Sequence, residues 1–546
     1  MRSNAAISPL AGARAGQRWT LCYMHEGDSW YEYSGTNWEK LPESLLVARI
    51  QSFFEPYWII KEKAAKGDRI YIDPSDGTER AVKRAALTSR ACAGILAAMK
   101  GDCGMFSPGG AMPAWSHATF DGAGFPIAGA GLRRVNPGEQ KKVVPVRNGL
   151  LRLDALLEGK VVVEPHTPRY ISTSCAPFDI PVDLIRQQLE RDPLDEEAGG
   201  RLCHELCPTF QSVLARAAGD CEIYSREFMK YVAYCFTDDQ SFETILYQTG
   251  RPGTGKGTLF EGVVAAVGDE NVYMSSANQL CGKHEIVNYI GKNIIGFDEF
   301  EAGHSTDAVE ASRRLKTTGI GTATSVEGKF DDAFTTRITG KFWLISNKLA
   351  KLKDSSAAMA RRLIIFPTGI DTPTAADRDP SIKRRVRAEA RGIMIWALFH
   401  LRILYRDGKF VQPPAGLAQL ENFKRLVSPV HAFVEDCLVA QRESACEEGL
   451  LWKLYAAYAA SAGVGRLGKD NLFSELESAV FGLERYREED HTRMVRGLRP
   501  RLEAEDGRPF KLYDQAADIE LLARFGFEFT AAAGTEYPAA GGSLPY

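Results

Sequence analysis

No long apolar run occurs in the chain, and residues 1–17 lack the basic start, apolar centre and small-residue cleavage site of a signal peptide. Those two absences argue against a membrane span or a secretory route and lead us to expect a cytoplasmic protein. Charge of one sign is also missing: the net charge is −3 over 546 residues. A protein coated in basic surface is thereby excluded, so any nucleic-acid contact has to be local, in a channel or on one face. The eleven cysteines show no framework spacing, which excludes a disulfide scaffold and suits a reducing compartment. The densest cluster, Cys203-His204-Glu205-Leu206-Cys207, lacks a fourth zinc ligand at the required spacing. No internal repeat appears.

What is present is an ordinary globular composition, 45% apolar and 25% charged, in a length that suits three or four domains. Residues 1–18 read as a loose start. Residues 19–178 read as an α+β region: short aromatic strands up to residue 40, helices over 42–54 and 88–99, a Gly/Pro-rich loop over 101–131, and strands again over 143–174. Helical text fills 179–240. From 241 to 412 short apolar strands alternate with helices, the signature of a parallel α/β sheet, with a helix over 385–405. In a domain over 418–505, residues 429–481 give three helical segments and charged strand-like text follows to 502, the size and order of a small winged-helix module. The Ala/Gly/Pro-rich tail, 506–546, reads as partly disordered.

Within this frame one segment names a ligand. Gly250-Arg251-Pro252-Gly253-Thr254-Gly255-Lys256-Gly257-Thr258 lies between an apolar strand and a helical run. In that context the glycines let backbone N–H groups curl around phosphate oxygens, the helix start adds partial positive charge, and Lys256 reaches the β/γ phosphates. The ligand is therefore a nucleoside triphosphate such as ATP. Gly257 stands where a serine or threonine usually ligates Mg²⁺, and the hydroxyl comes one place later, at Thr258.

Hydrolysis needs further groups from other strands. Asn293-Ile294-Ile295-Gly296-Phe297-Asp298-Glu299 delivers two acids at a strand end: Asp298 to hold Mg²⁺ and Glu299 to polarise water. The strand 341–346 ends in Asn347, an amide suited to the γ-phosphate and the lytic water. Arg361 and Arg362 precede another apolar strand and suit an arginine finger acting on a neighbouring subunit's nucleotide. Between these pieces lie Leu315-Lys316-Thr317-Thr318-Gly319 and Ser325-Val326-Glu327-Gly328-Lys329-Phe330, the second reading as a hairpin tip. Over 310–362 there are eleven Lys/Arg against five Asp/Glu. Concentrated charge there fits a pore loop gripping phosphates through Lys316 and Lys329, with Phe330 stacking or packing; a solvated charged face is the plainer reading.

Taken together, the order of nucleotide loop, Asp-Glu strand, lysine hairpin, Asn strand and Arg-Arg strand resembles the superfamily-3 helicases of the phage, plasmid and poxvirus primase-helicase type. Arg147-Asn148-Gly149-Leu150-Leu151 with His166-Thr167-Pro168 resembles the strand pair such proteins carry ahead of the ATPase. The resemblance covers about residues 140–500 and is strongest over 244–367. It implies a multidomain α/β protein: a P-loop AAA+ parallel-sheet core at 241–412, the N-terminal α+β region, a helical collar at 179–240 and a C-terminal winged-helix-like domain. It also implies a hexameric ring that hydrolyses ATP with Mg²⁺ and draws single-stranded DNA through its centre. A mobile element's replication in a bacterial cytoplasm would be the setting, and a separate primase a possible partner, since residues 1–140 show no convincing metal-binding acid pair with a histidine. Two rivals stay open. The loop text also resembles adenylate-kinase-type enzymes, and an initiator using ATP as an assembly switch, or a defence ATPase, would share the same core.

Overall fold

A computed structural model of the chain describes residues 21–500 apart from 25–27, 55–57, 61–68, 73–77, 85–86, 107–111, 113, 117–132, 137–141, 192–199, 301–304, 328–332, 351–358, 370–378, 428, 463–465 and 481. It divides into two compact units. The first comprises Met1–Phe300, Thr317–Lys348 and Phe366–Pro413, and the second Glu301–Lys316, Leu349–Ile365 and Pro414–Tyr546.

The first unit begins with strands that alternate their faces. Along Leu21–Met24 and Ser29–Tyr33, Tyr23 and Trp30 join a cluster with the helix residues Leu46, Ile50, Leu96 and Met99, while Cys22, Met24 and Tyr31 face another with Trp38 and Ile171. A period of two sorts one face from the other. The segment expected to be a loop over 101–131 also carries the strands Gly104–Phe106 and Ala114–Ser116, which enter the same seven-stranded sheet. Short runs with little apolar text give no periodicity, so pairing partners rather than local pattern decide them. In the strand pair Val143–Val146 and Gly149–Arg152, the Asn148 amide accepts from the Ile180 amide N–H and donates to the Ile180 carbonyl. His166 Nε2 lies 3.2 Å from the Arg147 carbonyl oxygen, so Asn148 and His166 tie the turn between these strands to the segments that follow.

The part that carries the site is a five-stranded sheet. Its strands are β1 (Ile245–Thr249), β2 (Val272–Ser275), β3 (Ile294–Phe297), β4 (Lys341–Ser346) and β5 (Leu363–Pro367), in the order β2-β3-β4-β1-β5. The pairs β2–β3, β3–β4 and β4–β1 are parallel. β1, β3 and β4 are buried at every residue, as strands covered on both faces must be, which is why their text carries continuous apolar stretches, Ile245–Tyr247, Ile294–Phe297 and Phe342–Ile345, rather than alternating. Helices α1 (Pro208–Ala218), α2 (Glu222–Tyr234), α3 (Lys256–Val267), α4 (Ile382–Ala388) and α5 (Ala390–Asp407) belong to the first unit. Trp343 of β4 is fully buried, with Phe228 and Tyr231 of α2 and Phe260 of α3 at ring centroid distances of 5.5, 5.8 and 5.4 Å. The single helix expected over 385–405 is two, because the chain breaks at Glu389. There the Glu389 carboxylate accepts the backbone N–H groups of Thr209 and Phe210, capping α1.

His400 of α5 is buried, and its Nδ1 donates to the Trp396 carbonyl at 3.1 Å. Burial pulls its pKa down to about 4, with Arg226 and Lys230 acting in the same direction. In the unfolded chain it protonates near the ordinary value of 6.5. Between those values the unfolded state holds a proton that the folded state lacks, so stability falls as pH drops from 6.5 toward 4. One such group contributes a slope of up to about 1.4 kcal/mol per pH unit. His400→Gln keeps a donor for the carbonyl and is expected to flatten the fall of the urea midpoint over that window. An unchanged pH profile would show that His400 is protonated in the fold.

The second unit has its own core. Helix Pro429–Cys437, strand Leu438–Glu447, helices Glu448–Ser461 and Lys469–Ala479, and strands Glu484–Arg487 and Arg493–Pro500 bury Phe433, Leu451, Tyr455, Leu472, Phe473 and Val495 together. Three helices lie within 429–481, as the sequence suggests, and residues 438–447 between the first two are a strand that the sequence reading did not single out. The Ala, Gln and Glu content of that segment favours helix, but pairing with Arg493–Pro500, with an irregularity between Gln441 and Ala445, overrides that propensity. Among the described residues no helix is long and apolar enough to cross a membrane.

Candidate nucleotide site

The sheet register assembles the site. Thr249 of β1 pairs with Ser346 of β4, and Phe297 of β3 pairs with Leu344 of β4. All three strands run the same way, so the chain leaves them side by side at their C-terminal edge, as Gly250, Asp298 and Asn347. That edge is where open α/β sheets bind ligands.

The loop that follows β1 is held from behind. Thr368, after β5, donates its backbone N–H to the Thr249 carbonyl at 2.7 Å, and its hydroxyl meets that of Thr254 at 2.9 Å. Thr254 also donates to the Arg251 carbonyl at 2.8 Å, so its hydroxyl is engaged in shaping the loop. Gly250 has φ +146, and a Cβ there would lie 2.4 Å from the Thr368 carbonyl oxygen, a position no other residue can fill. Gly255, at φ +96, turns the chain into α3 without a side-chain cap. The first N–H groups of that helix are therefore available to an anion.

Lys256 is 8% exposed. Its ammonium donates to the carbonyls of Gly250 and Arg251 and to Asn347 Oδ1, the last at 3.3 Å. Burial lowers its pKa and the nearby Asp298 carboxylate opposes that shift. A loop whose lysine bridges its own carbonyls is folded around that ammonium.

Asp298 and Glu299 are both exposed, while Phe300 returns to the core and donates its N–H to the Ile345 carbonyl at 2.8 Å. The reversal needs φ +48 at Glu299, a conformation a glutamate rarely adopts. Asp298 Oδ1 accepts the Glu299 N–H at 3.0 Å within this turn. Strain of this kind is kept where surroundings over-determine it, and here it presents two carboxylates together.

These residues line one cleft of about 1160 Å³. Pro252, Gly253, Gly255, Lys256, Gly257, Thr258, Asp298, Glu299 and Asn347 of the sequence reading all border it. Gly250 and Thr254 stand behind the loop. Polar side chains missed by sequence reasoning include Thr209, Ser212 and Arg216 of α1, Asp379, and Lys383 and Arg385 of α4. The run Lys383-Arg384-Arg385 after Asp379-Pro380 was the available signal, hidden by starting the helix at Arg385. Lys316 ends a stretch of the second unit, where Arg361 is exposed and Arg362 partly buried in the short turn Ala360–Arg362; none of the three borders the cleft. Lys329 and Phe330 lie outside the described residues; the strands flanking them, Thr324–Val326 and Phe334–Thr336, pair antiparallel.

Residues 248–362 match a family described as a family of unknown function, DUF5906. Among solved structures, the chain is similar to the A form apo structure of the NrS-1 C-terminal region, with 10% identity and a TM-score of 0.43, over 87% of this chain and 96% of that one. A further apo structure of the NrS-1 C-terminal region matches with 10% identity and a TM-score of 0.44, over 87% and 95%.

Proposed function

We propose that this chain is an ATP-dependent DNA helicase of the superfamily-3 type, acting in replication of a phage, plasmid or other mobile element in a bacterial cytoplasm. The observation that carries the reading is the convergence of the loop 250–258, Asp298, Glu299 and Asn347 on one cleft at one sheet edge. The strand order supports a P-loop AAA+ core, and the helix–strand–helix–helix–strand–strand run over 429–500 supports a winged-helix-like domain.

On binding ATP, Lys256 exchanges the loop carbonyls for β- and γ-phosphate oxygens. Glu299 accepts a hydrogen bond from the attacking water and takes its proton. Asn347, already within reach of Lys256, donates to the γ-phosphate and fixes the water's direction. Among the described residues no three His, Cys, Asp or Glu side chains gather to hold a metal by themselves. Mg²⁺ asks for less, one or two carboxylates plus phosphate oxygens, and the exposed Asp298 and half-buried Thr258 on the same cleft fit that demand. When bound, the ion neutralises charge on the triphosphate. In a homo-oligomeric ring, expected to be a hexamer, Arg361 or Arg362 would complete a neighbour's site. Lys316, Lys329 and Phe330 would meet single-stranded DNA in the channel. A separate primase would supply priming.

Strand separation of a forked duplex in the presence of ATP tests this reading. Unwinding that needs ATP is expected. ATP binding without unwinding or DNA-stimulated turnover would replace it with an initiator that uses ATP as a switch.

A further inference from the structure

Gly257 occupies the place where a hydroxyl would ligate a divalent ion, yet nothing in the backbone requires a glycine there. Its φ lies outside the left-handed region, and a Cβ would meet only one atom within 4 Å, the ammonium of Lys383, at 3.9 Å. What stands beside the vacant hydroxyl position is thus a cation.

The placement of that cation is built in. Lys383, Val386 and Arg387 share one face of α4 at spacings of three and four. Val386 is buried and sits over Gly262 of α3, where a Cβ would come within 2.5 Å of the valine methyl, so the two helices are in close contact at that point. Arg387 forks to Glu261 at 2.6 Å and Asp269 at 2.7 Å. Arg385 is held by Asp379 at 3.1 Å and by the Thr209 hydroxyl at 3.2 Å. One turn ahead of Val386, Lys383 points along α3 to Gly257 and borders the nucleotide cleft. It is exposed, and among the described residues it has no carboxylate within ion-pair distance. Arg385 and Arg387 of this helix are engaged by acids; Lys383, the one that borders Gly257, is not.

We propose that Lys383 is a second phosphate-binding residue that replaces the missing hydroxyl at position 257, giving this site triphosphate binding that persists without a divalent ion. The inference rests on the nucleotide reading above. A hydroxyl at 257 would contribute an oxygen to a cation shared with the phosphates. An ammonium there contacts the phosphate oxygens directly, as a charge-assisted donor, and repels a metal ion from that position. Glycine at 257 keeps the space between ammonium and phosphate clear. Lys256 and Lys383 then hold the triphosphate from two sides, and the ion serves at the Asp298 side of the cleft.

The test is titration of the full-length protein with ATP, read by calorimetry, in Mg²⁺ and in EDTA. Wild type is expected to bind in EDTA within about tenfold of its affinity in Mg²⁺. Lys383→Ala is expected to lose about tenfold to a hundredfold in EDTA, the size of a charge-assisted contact. The loss should be smaller in Mg²⁺, and Gly257→Ser combined with Lys383→Ala should restore binding in Mg²⁺ only. Because Lys383 is exposed, the variant should melt with the wild type. Lys383→Ala binding like wild type in EDTA, or wild type binding only in Mg²⁺, would overturn the proposal while leaving the nucleotide site standing. No ATP binding by wild type in either buffer, or binding unaffected by Lys256→Ala, would overturn both.

Discussion

Lys256→Ala is expected to abolish ATP turnover and to weaken ATP binding by at least about a hundredfold, each charge-assisted contact contributing roughly 1.5–3 kcal/mol. The side chain reaches the floor of the cleft and is 8% exposed, so its charge acts where solvent screens it little. It also bridges the carbonyls of Gly250 and Arg251 to Asn347, so its removal loosens the loop before any ligand arrives. The fold should survive, since the loop is also tied through Thr254 and Thr368 and the sheet core is independent of Lys256. Titration with ATP and a thermal melt check both halves. Unaltered affinity in a folded variant would remove the loop from the ligand site.

Glu299→Gln separates binding from chemistry. The amide keeps the size and the unusual φ of +48, so Asp298 and the turn to Phe300 should stay in place. What it loses is the capacity to take a proton from water. Single-turnover hydrolysis is expected to fall by about 10²–10⁴, the usual worth of a general base, while ATP affinity stays within a few-fold of wild type. Equal hydrolysis by the variant would move the base to another group on the cleft, with Asp298 the first candidate.

Much of this site is legible in the sequence for a physical reason. Its parts sit at ends of strands buried on both faces, and such strands announce themselves by continuous apolar runs such as Ile294–Phe297 and Phe342–Ile345. Polar residues that end such a run stand at the sheet edge, and Asp298, Glu299 and Asn347 are read in that way. The roles of Thr254 and Thr368 were not legible, because their hydroxyl contact joins positions 114 residues apart. Lys383 and Arg385 escaped for the same reason: their helix is held beside the cleft by contacts far apart in sequence, Val386 on Gly262, Arg387 to Glu261 and Arg385 to Thr209. The strand over 438–447, between two of the three expected helices, has helix-favouring composition and is fixed by a partner roughly fifty residues away. Local pattern thus reports a residue's own element, and long-range packing decides which elements share a cleft.

The fate of the γ-phosphate tests the central claim most directly. The full-length protein is incubated with labelled ATP and Mg²⁺, alone, with AMP, and with single-stranded DNA, and the products are separated. A hydrolytic site built from Lys256, Asp298, Glu299 and Asn347 should release inorganic phosphate, faster with DNA and not at all in Lys256→Ala. Label appearing in ADP made from AMP, or phosphate release indifferent to both DNA and Lys256, would contradict it.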